Sequence, residues 1–257
     1  MKGIDDKILS LFFYPFDYVE YFFGKNNNSS SKTILLNKKS QKVLFLLPHW
    51  MGTIIIYRLL INKLKDKYTI VFYKLPNKIL DDNPENTVKY FQEAKKDIIS
   101  IINYLEKKGY KEFSILSSSK STVLALMISN DDNKIKKIII NMVGSDLAEC
   151  VWYSNSFMVK NVKNRLVKNG INLSILKKKW SSISPINNIN NLKNKDILIL
   201  LSKNDEVIKC KYGLKLLKAL EKKKINYINE TDNIFGHYLS GCKQLLFSDK
   251  IIKFLET

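Results

Sequence analysis

Phe113-Ser114-Ile115-Leu116-Ser117-Ser118-Ser119-Lys120-Ser121-Thr122-Val123-Leu124-Ala125-Leu126 joins a short apolar run to a second one through a knot of serines. The first run has the length and character of a buried strand. The second carries apolar and small residues at helical spacing, so the stretch predicts a strand that turns sharply into a helix. At such a turn the central serine, Ser119, can be held clear of the sheet with its hydroxyl exposed. Backbone N–H groups at the new helix's N-terminus face the same way and can hold an oxyanion.

The usual form of this turn is Gly-x-Ser-x-Gly, the outer glycines letting strand and helix approach closely. Here both positions are serine, Ser117 and Ser121. Taken alone, the stretch also reads as a serine-rich β-to-α loop that caps a helix, and this plainer reading is the stronger one. Ser117-Ser118-Ser119-Lys120 spells S-x-x-K as well, but the companion S-D-N and K-T-G segments of that motif are absent.

Outward from this stretch the chain alternates. Thr33 to Leu36 and Lys42 to Leu47 read as strands joined by a polar turn, the second uniformly apolar as a strand covered on both faces should be. Pro48-His49-Trp50-Met51-Gly52 follows, then helical spacing from Ile54 to Leu64. Tyr68 to Tyr73 reads as a strand. Thr87 to Lys108 reads as a long amphipathic helix closed by Gly109. Past the serine turn, Lys137 to Val143 is again a strand. From about 144 to 192 the alternation stops and Trp152, Phe157 and Trp180 stand among lysines and asparagines, as in two or three short helices. It resumes with Ile197 to Leu201, the polar turn Ser202 to Val207, a helix from about Tyr212 to Lys223, and a strand from Tyr227 to Glu230. The turn Phe235-Gly236-His237-Tyr238 and a last helix from about Lys243 to Glu256 complete the chain. Alternating strands and helices without internal repeats imply an α/β fold with a mostly parallel sheet and helices on both faces. An insertion after the strand that follows the serine turn would sit as a cap over the sheet's C-terminal edge, where ligands bind.

The order of three polar positions now carries a resemblance. Ser119 on the turn, Asp205 after the Ile197 strand and His237 after the Tyr227 strand stand in the order Ser, Asp, His. This resembles the α/β-hydrolase superfamily from about Thr33 to the C-terminus. Asn204-Asp205-Glu206-Val207-Ile208 is similar to the family's acid-bearing segment and Gly236-His237 to its histidine segment. Pro48 to Gly52 is similar to its oxyanion loop, with tryptophan where the family usually has glycine. Trp180 to Pro185 is similar to the end of the cap in lipase- and peptidase-like members. The resemblance implies a nucleophile at Ser119, a general base at His237 and an orienting acid at Asp205. It also implies oxyanion donors in the backbone N–H of Lys120 with that of Trp50 or Met51.

His49, Trp152, Phe157 and Trp180 are the candidate substrate-pocket residues, His49 as a loop-shaping residue rather than a catalytic one. Glu206 reads as a solvated neighbour of the acid, and Lys120 is assigned its backbone rather than its ammonium. The expected activity is hydrolysis of a small carboxylic ester or thioester with an apolar portion, through an acyl-enzyme and without cofactor. The serine-for-glycine changes leave open a catalytically silent binding protein, and the fold leaves open an acyltransferase.

The bulk properties narrow the rest. The 257 residues suffice for one α/β domain with a large core, and 45% apolar with 26% charged residues is ordinary globular composition. The net charge of +19 suggests polyanions, but only Arg58 and Arg165 among the 43 basic residues are arginine. Bidentate phosphate and base recognition favours arginine, so the lysines read as compositional drift and no nucleic-acid partner is expected. Cys150, Cys210 and Cys242 are far apart, and His49 and His237 are the only histidines, which argues against a disulfide framework and a metal site. A reducing, cytoplasmic setting follows.

Residues 1–32 form an aromatic-rich arm and linker ahead of a domain at 33–257. The arm lacks the basic start and unbroken apolar centre of a signal peptide and is too short and charged to span a bilayer. It reads as a helical arm packed on the domain, with peripheral membrane or dimer contact as the alternative.

Overall fold

Strands Lys42–Leu47 (β3), Thr69–Lys74 (β4), Glu112–Ser118 (β5), Ile135–Asn141 (β6), Asp196–Ser202 (β7) and Ile228–Asp232 (β8) pair in parallel. In the computed structural model the described residues are 19–22, 32–36, 40–50, 52–246 and 248–257. Val19–Phe22 (β1) and Lys32–Leu36 (β2) extend the sheet by antiparallel pairing, Val19 opposite Leu36 and Lys32 opposite Lys74. The order across the sheet is β1-β2-β4-β3-β5-β6-β7-β8.

The central strands read as unbroken apolar runs because both faces are covered. Val43, Phe45 and Leu47 of β3 enter one core layer, whereas Leu44 and Leu46 enter the other. Helices Pro84–Lys107 (α2), Ser121–Asp131 (α3) and Cys210–Lys222 (α7) cover the first face. Ile54–Leu64 (α1), His237–Leu246 (α8) and Asp249–Glu256 (α9) cover the second. Helix α3 is buried on every side from Ser121 to Ser129, which explains why its sequence shows small and apolar residues with no polar stripe.

Between β6 and β7 lie Leu147–Trp152 (α4), Phe157–Lys168 (α5) and Leu173–Lys179 (α6), then 3₁₀ turns at Ser181–Ile183 and Pro185–Asn187. Asp146 and Asn172 start α4 and α6 by accepting backbone N–H bonds from Glu149 and Ile175.

Three expectations change. Val19–Phe22, placed by its aromatic spacing in a helical arm, is an edge strand, and Lys32 belongs to a strand rather than a linker. The rest of that arm lies outside the described residues. Strand β2 pairs with β4 and not with its sequence neighbour β3, so these two strands form no hairpin. The histidine turn is already helical: α8 begins at His237, and α9 is a separate helix. Among the described residues, no helix is long and apolar enough to cross a membrane.

Candidate active site

Helix α3 begins three residues after β5 ends, and the chain can reverse so sharply only if one residue leaves the common backbone regions. Ser119 takes that role with φ of 56°, a left-handed conformation that costs a non-glycine residue on the order of 1–3 kcal/mol. Neighbouring bonds hold it there. Its N–H donates to Asn141 O at 2.8 Å, and its carbonyl accepts from the Thr122 N–H at 2.9 Å and hydroxyl at 2.6 Å.

The flanking serines are accommodated by hydrogen bonding. Ser117 and Ser121 are fully buried; the Ser117 hydroxyl donates to Ile139 O at 3.3 Å and that of Ser121 to Pro48 O at 2.5 Å. Each adds a Cβ and a hydroxyl where glycine would add nothing, and each hydroxyl meets a carbonyl already in place. The bond from Ser121 also ties the start of α3 to the loop after β3.

Asp205 follows β7 and His237 opens α8, so both sit beyond the C-terminal ends of parallel strands, on the same rim as Ser119. His237 Nε2 lies 3.1 Å from Ser119 Oγ, and Nδ1 lies 2.7 Å from Asp205 Oδ2. A carboxylate only accepts, so Nδ1 carries the imidazole proton and Nε2 turns its lone pair to the hydroxyl. Asp205 Oδ1 accepts the N–H groups of Val207 at 2.8 Å and Ile208 at 2.6 Å, which fixes the carboxylate plane. All three side chains are buried.

Glu206 departs from the solvated neighbour expected of it. Its Oε2 accepts the backbone N–H of His237 at 3.0 Å. A Cβ on Gly236 would meet that oxygen at 2.5 Å, so glycine makes room for the carboxylate at the start of α8.

The loop after β3 supplies the facing wall. The N–H of Gly52 donates to His49 O at 2.9 Å, and a Cβ at Gly52 would meet the Pro48 Cβ at 2.6 Å. Glycine is therefore needed at 52 to close this turn. Lys120 caps the start of α3, where backbone N–H groups lack helical acceptors. Met51, the other oxyanion candidate of the sequence reading, lies outside the described residues. The imidazole of His49 is pushed down to about 4, first by burial and then by the positive field of His237, Lys120 and Lys74, so it is neutral near pH 7.

Ser119 and His237 open into a cavity walled by Leu80, Leu147, Val151, Met158, Val159 and Val207, with His49, Trp50 and Lys120 on its polar side. The wall thus draws on α4 and α5 from the insertion. Of the four candidate pocket residues, His49 lines this cavity and the other three do not. Trp180 is fully buried in the core, its indole N–H donating to Pro84 O at 3.1 Å. Phe157 points outward, 77% exposed. Trp152 is half-buried, with the Lys163 ammonium 5.0 Å from its ring. Their immediate neighbours Val151 and Met158 face the cavity instead, because the rotation of α4 and α5 is set by packing that no local pattern reveals. Cys150 also lines the cavity; burial pushes its thiol far up, which keeps it protonated. Among the described residues, no group of three or more His, Cys, Asp or Glu side chains is placed to hold a metal ion.

No protein-family model and no curated protein matches the sequence. Solved structures do. The chain superposes on acetyl xylan esterase from Paenibacillus sp. R4 with a TM-score of 0.70 at 12% identity, over 98% of this chain and 92% of that one. Acetyl xylan esterase 1 from Thermoanaerobacterium sp. JW/SL YS485 gives 0.66 at 14%, over 93% and 82%. Pyrococcus horikoshii acylaminoacyl peptidase gives 0.72 at 12%, over 96% of this chain but only 43% of the peptidase. The fold is that of the α/β-hydrolases.

Proposed function

We propose that the protein is a serine hydrolase that cleaves a small carboxylic ester or thioester through an acyl-enzyme. One observation carries this reading: the unbroken contact from Ser119 Oγ to His237 Nε2 at 3.1 Å and from His237 Nδ1 to Asp205 Oδ2 at 2.7 Å.

Ser119 Oγ attacks the acyl carbon while His237 Nε2 takes the hydroxyl proton. Asp205 keeps the imidazole in the required tautomer and stabilises the imidazolium that forms. The carbonyl oxygen, now negative, is received by the Lys120 N–H and the Trp50 N–H, each such donor contributing about 3 kcal/mol to the barrier reduction. His237 then returns the proton to the leaving oxygen or sulfur. Water repeats the sequence on the acyl-enzyme, and Ser119 is released. Its left-handed backbone holds Oγ at the helix start, so the strain at the turn serves the alignment.

An ester is favoured over a peptide bond by two features. The cavity wall is mostly apolar, suited to a short acyl or alkyl portion. The two esterases are matched over most of their own length, the peptidase over less than half.

A fluorophosphonate probe is expected to label the wild-type chain at Ser119, and Ser119→Ala to abolish both labelling and p-nitrophenyl ester turnover. Equal labelling of the alanine variant would overturn the assignment.

A further inference from the structure

Lys120 is 6% exposed and lines the same cavity as Ser119 and His237. Its ammonium donates to Pro76 O at 3.2 Å and stands 4.9 Å from the centre of the Trp50 ring. An ammonium has three donors, and this is its one hydrogen bond among the described residues. None of its partners is a carboxylate. Lys74 and His49, the ionisable groups that bear on it from β4 and from the loop after β3, are basic as well. A buried charge left without a counter-ion is costly, and a strongly perturbed ionisable group lining a cleft marks a candidate functional site.

We infer that the Lys120 ammonium is the counter-ion site for a carboxylate on the substrate, so that the preferred ester carries an anionic group a few atoms from the scissile carbonyl. This rests on the hydrolase reading of the same cavity. Lys120 directly follows Ser119 in the chain, and both residues line the cavity. Trp50 presents a flat apolar face that screens the charge from water until the carboxylate arrives. Burial, with Lys74 as a second contribution, lowers the lysine to about 7, the mark of an ammonium that has no anion beside it. The positive surface attracts any anion, whereas among the described residues that line the cavity Lys120 is the one lysine.

The test compares p-nitrophenyl hemisuccinate with p-nitrophenyl butyrate, which ends in methyl where the other ends in carboxylate, on wild type and Lys120→Met. Wild type is expected to favour the hemisuccinate in kcat/KM by about tenfold or more, chiefly through KM, and the preference to vanish in the variant. Calorimetric titration with succinate is expected to show binding to wild type and about tenfold weaker binding to the variant. A wild type that favours butyrate, or a preference that survives Lys120→Met, would show that the ammonium merely clamps Trp50. If neither ester turns over and no fluorophosphonate labels the chain, the hydrolase reading fails. The succinate titration then decides alone: binding lost with the ammonium sustains the anion site, and no binding to wild type removes it.

Discussion

The carboxylate of Glu206 accepts the backbone N–H of His237 at 3.0 Å, so the residue after Asp205 anchors the residue whose imidazole meets Ser119. Asp205 holds the imidazole and Glu206 holds the backbone behind it. The anion also sits at the N-terminus of α8, where the helix dipole favours negative charge.

Glu206→Ala is expected to lower kcat about tenfold with KM little changed, through misplacement of the imidazole, and to lower stability by about 1 kcal/mol as a lost helix cap. Glu206→Gln keeps an accepting oxygen and should restore most of both. Steady-state kinetics and chemical denaturation of the two variants check this; equal losses in both would point to the charge rather than the hydrogen bond.

Asp205→Asn keeps an oxygen for the Val207 and Ile208 N–H groups, so the loop should fold. The amide nitrogen then faces His237 Nδ1 and selects the wrong tautomer. A fall in kcat of about 10⁴ is expected with near-native circular dichroism. A fall below tenfold would mean that the aspartate does not orient the base.

Ser121→Ala leaves Pro48 O without its donor in a fully buried place, a loss of about 1–3 kcal/mol of stability. Because the same bond ties α3 to the loop that presents Trp50, kcat should fall as well. Measuring ester turnover well below the unfolding temperature separates the two effects.

Lys120 and His49 make stability depend on pH with one sign. Lys120 falls from 10.5 in the unfolded chain to about 7 when folded, so the unfolded state binds more protons between these values and stability rises across that window. His49, lowered from 6.5 to about 4, does the same across its own lower window. Lys120→Met is expected to raise the unfolding temperature by several degrees at pH 6, the gain shrinking towards pH 10. A scan of Tm against pH checks it, and an equal gain at both ends would contradict it.

The residues at 119, 205 and 237 were legible in the sequence because each follows a strand, and strand ends in a parallel sheet share a rim. The central strands were legible for a related reason: covered on both faces, they carry short unbroken apolar runs bounded by polar turns. Pairing partners were less so. The apolar pattern marks Val19–Phe22 as buried-seeking but not as a strand beside Lys32–Leu36, since edge pairing depends on what lies across the sheet.

What the linear order of residues determined here is local: strand and helix periods, the serine turn, and the succession of serine, acid and histidine. Tertiary structure alone decided which hydroxyl meets which carbonyl and which face of α4 and α5 turns inward. It sends Trp180 to the core and Val151 to the cavity, and among the described residues it leaves the Lys120 ammonium without an anion. The reason is one of range. Periodicity is set by neighbours a few residues apart, whereas hydrogen bonds such as Ser121 to Pro48 or His237 to Ser119 join residues that only the packed sheet brings within 3 Å or so of each other.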